Sequence, residues 1–274
     1  MAEAPVSVLM AVYAGDRADW VAASLRSLRE QTTPPAEIVV VEDGPLPAEL
    51  AAVLASVSAV RVRLPENRGL AAALQAGLGH CSYDLVARMD ADDIAEPDRL
   101  ERQVATLAAR PELTVLGGYV AEFAEDPAVP YAIRRVESGP AVVARVAKWR
   151  SPVNHPTVMF RRADVLAVGG YDGFAGLEDY FLWAKLLSDG KAIDNLPEVA
   201  VRQRAGSELG RRRGGLGYAR TEVALFRAFV RIGFLTRREA LVGLIIRIPV
   251  RLVPPRVRWW VYRWLLRGRF SSSR

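Results

Sequence analysis

The chain has 274 residues and a mass of 30.1 kDa, enough for one large α/β domain or one domain with an appendage, but cramped for two independent domains. Apolar residues make up 51 % and charged residues 25 %, with a net charge of +6, which excludes a disordered or fibrous chain. One cysteine, Cys81, and two histidines, His80 and His155, exclude a disulfide scaffold, a cysteine zinc site and a His-rich metal site, so any metal would rest mostly on carboxylates, which suit Mg²⁺ or Mn²⁺.

The first 110 residues alternate strand and helix patterns. Val6–Val12 is a continuous apolar run, too short for a signal segment and preceded by an acid, and reads as a buried strand. A helical pattern with Trp20, Leu25 and Leu28 follows. Glu37–Val41 is a second strand, closed by the turn signal Asp43-Gly44-Pro45. Leu46–Val57 reads as helix, Val60–Leu64 as a short strand and Gly69–Leu78 as an Ala-rich helix. Asp84–Met89 is the next strand, and Pro97–Ala109 a helix with Pro at its first position. This order predicts a mostly parallel sheet with helices on both faces. Ligands of such sheets bind at the carboxyl ends of strands, where Asp43 and Asp90 are expected to share one crevice.

Further on, Leu113–Val120 is strand-like, with a loop around Asp126–Pro130 and a helix at Pro140–Trp149. Thr157–Phe160 reads as strand and Glu178–Ser188 as helix. From about residue 208 the pattern is helical and studded with arginine. No stretch reaches 18 uncharged apolar residues; the nearest, Leu241–Val253, is broken by Arg247, Pro249 and Arg251, so no spanning helix is expected.

Arg88-Met89-Asp90-Ala91-Asp92-Asp93 carries the strongest chemical signal. Three carboxylates within four residues repel one another unless a cation is present. A divalent ion bridging to a diphosphate supplies that cation and neutralises a leaving group. The plainer reading is an acidic loop capping the helix at Pro97; a second acid at a strand end, Asp43, favours the first. The pair Glu178-Asp179 opens a helix and by itself reads as a cap.

Four segments in order, Ser7–Tyr13 (SVLMAVY), Val40–Gly44 (VVEDG), Glu66–Ala71 (ENRGLA) and Asp90–Asp93 (DADD), resemble the motifs of the family 2 glycosyltransferases. Asn154–Arg161 (NHPTVMFR), Gly169-Gly170-Tyr171 and Leu177–Trp183 (LEDYFLW) resemble a bacterial subgroup that builds surface polysaccharides. The resemblance spans roughly residues 5–205 and implies a GT-A fold acting on nucleotide-activated sugars. It divides the chain into a catalytic domain, 1–205, and a basic helical extension, 206–274; nucleotide-sugar binding falls at about 5–110 and the acceptor side at about 111–205. It implies that Asp43 bonds the nucleobase of a UDP-sugar, that Ala11 and Tyr13 line that base, and that Arg68 contacts the nucleotide. It places Asp90 near the ribose and Asp92, with Asp90 beside it, at a Mn²⁺ or Mg²⁺ ion. Asp179, with Glu178 next in line, matches the general base of an inverting transfer, and His155 and Trp183 fall on the acceptor side. The sequence departs from the family pattern at Ala14, Glu42, Pro45 and Gln75. Ala205-Gly206 stand where members often carry a histidine, so no histidine ligand is expected from that loop.

Charge is distributed unevenly. Residues 201–274 hold 18 arginines against three acids, a balance of +15, while residues 1–200 carry a balance of −9. In Trp259–Trp264 the aromatics Trp259, Trp260, Tyr262 and Trp264 interleave with basic residues. A basic, Trp-rich amphipathic helix suits an anionic membrane surface, and lipid-linked saccharide acceptors fit it. The pattern equally suits a helical cap with snorkelling arginines, and the two are compatible. The expected location is the cytoplasmic face of a bacterial plasma membrane. Two other classes compete. A nucleotidyltransferase would want a Gly-rich basic phosphate loop after the first strand, which Ala14-Gly15-Asp16-Arg17 barely offers. A polybasic nucleic-acid module would leave the acidic first 200 residues unexplained, so no nucleic-acid partner is expected.

Overall fold

The computed structural model describes residues 4–204 and 215–252. The chain forms two compact units, Met1–Arg204 and Ala205–Arg274. The first opens with β1 (Val6–Tyr13), α1 (Ala18–Arg29), β2 (Glu37–Asp43), α2 (Ala48–Ala55), β3 (Val60–Arg63), α3 (Leu70–His80) and β4 (Leu85–Asp90). β1 lies between β2 and β4 and parallel to both, and β3 extends the parallel set beyond β2. Both faces of β1 are covered. Val8, Met10 and Val12 pack with Leu25 and Leu28, while Leu9 packs with Val39, Val41, Leu74 and Leu78. Two-sided burial explains why the run is continuously apolar rather than alternating. Each such side chain contributes about 1.5–3 kcal/mol by leaving water.

The remaining elements are β5 (Ile94–Ala95), α4 (Arg99–Ala109), β6 (Leu113–Phe123), β7 (Ala132–Arg134), α5 (Pro140–Ala147), a 3₁₀ turn (His155–Thr157), β8 (Met159–Arg161), α6 (Arg162–Ala167), α7 (Glu178–Ser188) and β9 (Ala192–Arg204). The sheet order is β3-β2-β1-β4-β8-β6-β9-β5, with β7 on β6. Beyond β4 the sheet is mixed, not mostly parallel as expected. β8 runs antiparallel to β4 and β6, and β6 and β9 are parallel. The 3₁₀ turn occupies His155–Thr157, and β8 follows it. The expected strand at Thr157 therefore starts at Met159, and α4 begins at Arg99, two residues past Pro97.

The second unit holds α8 (Leu216–Arg231) and α9 (Arg237–Leu252). Phe226 and Phe229 are fully buried. Glu222, also buried, accepts from Arg247 Nε at 2.8 Å and Arg251 Nε at 2.9 Å, and the two guanidiniums hold its carboxyl below the usual range against the opposing effect of burial. α9 exposes Leu241, Val242, Ile245 and Ile246, each between 45 and 63 %. Among the described residues no helix is long and apolar enough to cross a membrane. Ala205-Gly206 and the aromatic-basic stretch Trp259–Trp264 lie outside the described residues.

Candidate active site

Strand register brings the first candidates to one edge. Tyr13 stands opposite Asp43 and Ala11 opposite Asp90, so three adjacent parallel strands end together. Asp43 is buried, and its two oxygens accept backbone N–H groups of Arg68 at 2.7 Å and Gly69 at 3.0 Å. The 66–69 loop is thus folded against the end of β2. Gly44 makes this approach possible: its φ is +89°, and a Cβ there would lie 2.7 Å from the backbone nitrogen of Asn67. Arg68 contributes its backbone to Asp43 while its side chain is exposed. Glu42 turns away from the crevice to Arg61, at 2.6 Å, and Arg63.

The acid loop after β4 is tied down residue by residue. Arg88, 2 % exposed, donates to both oxygens of Asp90, from Nη1 to Oδ2 at 2.7 Å and from Nη2 to Oδ1. Asp93 is fully buried. It accepts the backbone N–H of Arg204 at 3.0 Å and the Gln203 amide at 3.3 Å, so it anchors the end of β9 rather than capping α4. Asp92 makes no hydrogen bond to another described residue, and burial, reinforced by the charge of Asp90, raises its pKa. Burial, then Asp90 and Asp92, pushes Asp93 well above the carboxylate range.

Pattern reading missed three residues here. Half-buried Asp16 accepts the N–H of Tyr13 at 2.9 Å, and burial, with smaller contributions from Asp92 and Asp90, raises it to about 6. Arg99, fully buried, donates to the carbonyls of Arg88 at 2.8 Å and Val158 at 3.3 Å, and burial lowers it to about 9. Arg88 had one readable signal, a lone base two positions from Asp90, because strand period two puts both side chains on one face.

The second acid pair sits in the first turn of α7. Glu178 is buried and raised by that burial and by Asp179. Asp179, half-buried, accepts from Ser151 Oγ at 3.3 Å. The charge of Arg88 is felt at Glu178, Tyr171 and His155 as well as at Asp92 and Asp93. His155 Nε2 meets the hydroxyl of Tyr171 at 3.0 Å, and burial drives its pKa well down, leaving a neutral ring. Trp183 corrects the sequence reading. Its side chain is 0 % exposed, edge-on to His155 with ring centroids 6.0 Å apart, so it packs in the core and offers no surface to an acceptor. α7 turns it inward with Leu182 and Leu186.

A family model described as Glycosyl transferase family 2 matches residues 7–180. The chain belongs to that family. It is therefore a glycosyltransferase with a GT-A fold. Its relatives include the Escherichia coli UDP-Gal:alpha-D-GlcNAc-diphosphoundecaprenol beta-1,3-galactosyltransferase, 35 % identical over 95 % of this chain and 96 % of that protein. The amylovoran biosynthesis glycosyltransferase AmsE of Erwinia amylovora is 35 % identical over 93 % of this chain and 97 % of its own length. Among solved structures, the mannosyltransferase PcManGT from Pyrobaculum calidifontis, in complex with GDP-Man and Mn²⁺, superposes with a TM-score of 0.66 at 19 % identity, covering 98 % of this chain and 77 % of that one. S. aureus TarS 1-349 in complex with UDP-GlcNAc gives 0.67 at 16 % identity, over 97 % and 74 % of the two chains.

Proposed function

We propose that this family member is an inverting enzyme that moves a hexose from a UDP-sugar to a saccharide on a lipid diphosphate, in bacterial surface-polysaccharide assembly. The observation that carries this is the alignment of Tyr13, Asp43 and Asp90 at the carboxyl ends of three adjacent parallel strands, with Asp92 two residues beyond Asp90. In this reading Asp43, Ala11 and Tyr13 hold the uracil, Arg68 reaches the nucleotide and Asp90 accepts from the ribose. Asp179 takes the proton of the acceptor hydroxyl as its oxygen attacks the anomeric carbon; the bond from that carbon to the β-phosphate oxygen breaks, and UDP leaves with the electron pair. Glu178, buried beside it, raises the local negative charge, and His155, neutral and bonded to Tyr171, supports the acceptor side. Names of relatives support the donor and acceptor classes: one uses UDP-Gal and a diphosphoundecaprenol-linked sugar.

The residues fit a divalent cation. Asp92 has no hydrogen-bond partner among the described residues, and burial, then the charge of Asp90, raises it; burial also raises nearby Asp16, with smaller contributions from Asp92 and Asp90. Among those residues no three His, Cys, Asp or Glu side chains form a cage, so an ion would take Asp92 plus phosphate oxygens. Mn²⁺ or Mg²⁺ bound there would neutralise charge on the departing diphosphate. Peripheral docking of the basic extension on the cytoplasmic face of an anionic membrane belongs to the same proposal, supported by the +15 balance of residues 201–274 and the exposed apolar stripe of α9.

A thermal-shift screen of UDP, GDP and their sugars with and without Mn²⁺ tests the reading. UDP compounds should stabilise the protein in a Mn²⁺-dependent way; stabilisation by none of them overturns it.

A further inference from the structure

We propose that Arg88 is a positioning residue that withholds Asp90 from the cation, so that the site takes a divalent ion only together with a nucleoside diphosphate. The inference rests on the cation-dependent reading above and goes beyond it by separating the roles of two neighbouring acids. Each oxygen of Asp90 faces its own guanidinium nitrogen, the bidentate fork that arginine forms and lysine cannot. The fork is not free to swing away. Arg88 is 2 % exposed, its N–H bonds the carbonyl of Val158 at 2.9 Å, and its own carbonyl is held by Arg99 at 2.8 Å. Asp90 is fixed from the other side as well, since Ser24 Oγ donates to its carbonyl at 3.0 Å.

Arg88 Nε is buried without a hydrogen-bond partner among the described residues. A buried guanidinium with an unsatisfied donor is a poor stabiliser, which favours a role at the site over one in the core. The three acids then divide. Asp93 is committed to Arg204 and Asp90 to Arg88, and of the three only Asp92 makes no hydrogen bond to another of the described residues. One carboxylate does not hold a hard cation that wants six oxygens; phosphate oxygens complete the set. Asp90, oriented by the fork, retains lone pairs for a ribose hydroxyl.

The test is titration of full-length protein with MnCl₂ alone, with UDP alone and with both, read by thermal shift and calorimetry. Wild type should respond to Mn²⁺ only when UDP is present. Arg88→Met releases Asp90, so Mn²⁺ alone should bind at least tenfold more tightly than to wild type. The double variant Arg88→Met with Asp90→Asn should lose that gain. Arg88→Lys, which keeps the charge but donates from one nitrogen, should show an intermediate gain and serves if the methionine variant does not fold by circular dichroism. A purely structural Arg88 would lower stability without creating a nucleotide-independent Mn²⁺ response. Binding of Mn²⁺ alone to wild type as tightly as to the variants, or no gain in either variant, overturns the inference alone. A wild type without any Mn²⁺-dependent UDP response overturns the functional reading with it.

Discussion

Asp179 and Glu178 are adjacent acids in one helical turn, yet burial separates them. Glu178 is enclosed and raised, whereas Asp179 keeps partial access to solvent. Asp179→Asn preserves shape and removes basicity, so UDP binding should survive while transfer falls on the order of 10²–10⁴-fold. Transfer near the wild-type rate would assign the base elsewhere. Asp92→Ala should instead abolish the Mn²⁺-dependent part of UDP stabilisation, measured in the same thermal assay. Asp16 supplies a pH test. Its carboxyl ionises near 3.8 when unfolded and at about 6 when folded, so folding takes up a proton between those values. Stability therefore falls as pH rises through that window, and the deficit is complete above it. Asp16→Asn retains an acceptor for Tyr13 and removes the deficit. It should gain on the order of 1–2 kcal/mol at pH 7, after discounting for partial solvent access, and nothing near pH 3.5. A flat difference between variant and wild type across pH would show that Asp16 is not raised.

At the scale of elements, the strands that frame the crevice were legible because two-sided burial writes itself as unbroken apolar runs, such as Val6–Val12. β9 was not legible. It contains Asp194, Asn195 and Pro197, and it tolerates them because its pairing with β6 slips between Gly117 and Tyr119, where the proline falls. Asp43 and Asp90 were legible from their place at strand ends, whereas Glu178 and Asp179 stood out only through the resemblance of their motif. Arg88 and Arg99 were not, since a buried arginine looks like a surface one until its partners are known. In the helical unit the bonds from Arg247 and Arg251 to Glu222 make a sharp prediction. Glu222→Ala strands two partly or fully buried guanidiniums and should destabilise that unit by about 3–5 kcal/mol, read by hydrogen exchange in α8 and α9. Exchange protection unchanged from wild type would make the cluster incidental.

At the scale of the molecule, charge separates along the chain, −9 before residue 201 and +15 after it. Each basic residue near an anionic leaflet contributes about 1 kcal/mol, screened within a Debye length. Full-length protein should pellet with anionic vesicles, weakly with neutral ones, and less as salt rises. The pair Leu241→Glu and Ile245→Glu should remove the part that salt leaves behind. Equal pelleting with both vesicle types would leave the arginines without a lipid role.

The strand β9 also bears on where this chain can be cut. The family match stops at residue 180, but Ala192–Arg204 pairs along nearly the whole of β6, and its last residue ties down Asp93. A fragment trimmed to the matched segment would bare the edge of β6 and release the acid loop, and should precipitate. Swapping C-terminal segments between relatives should accordingly place the junction after Arg204, so that the recipient keeps its own β9 and only the arginine-rich segment changes hands.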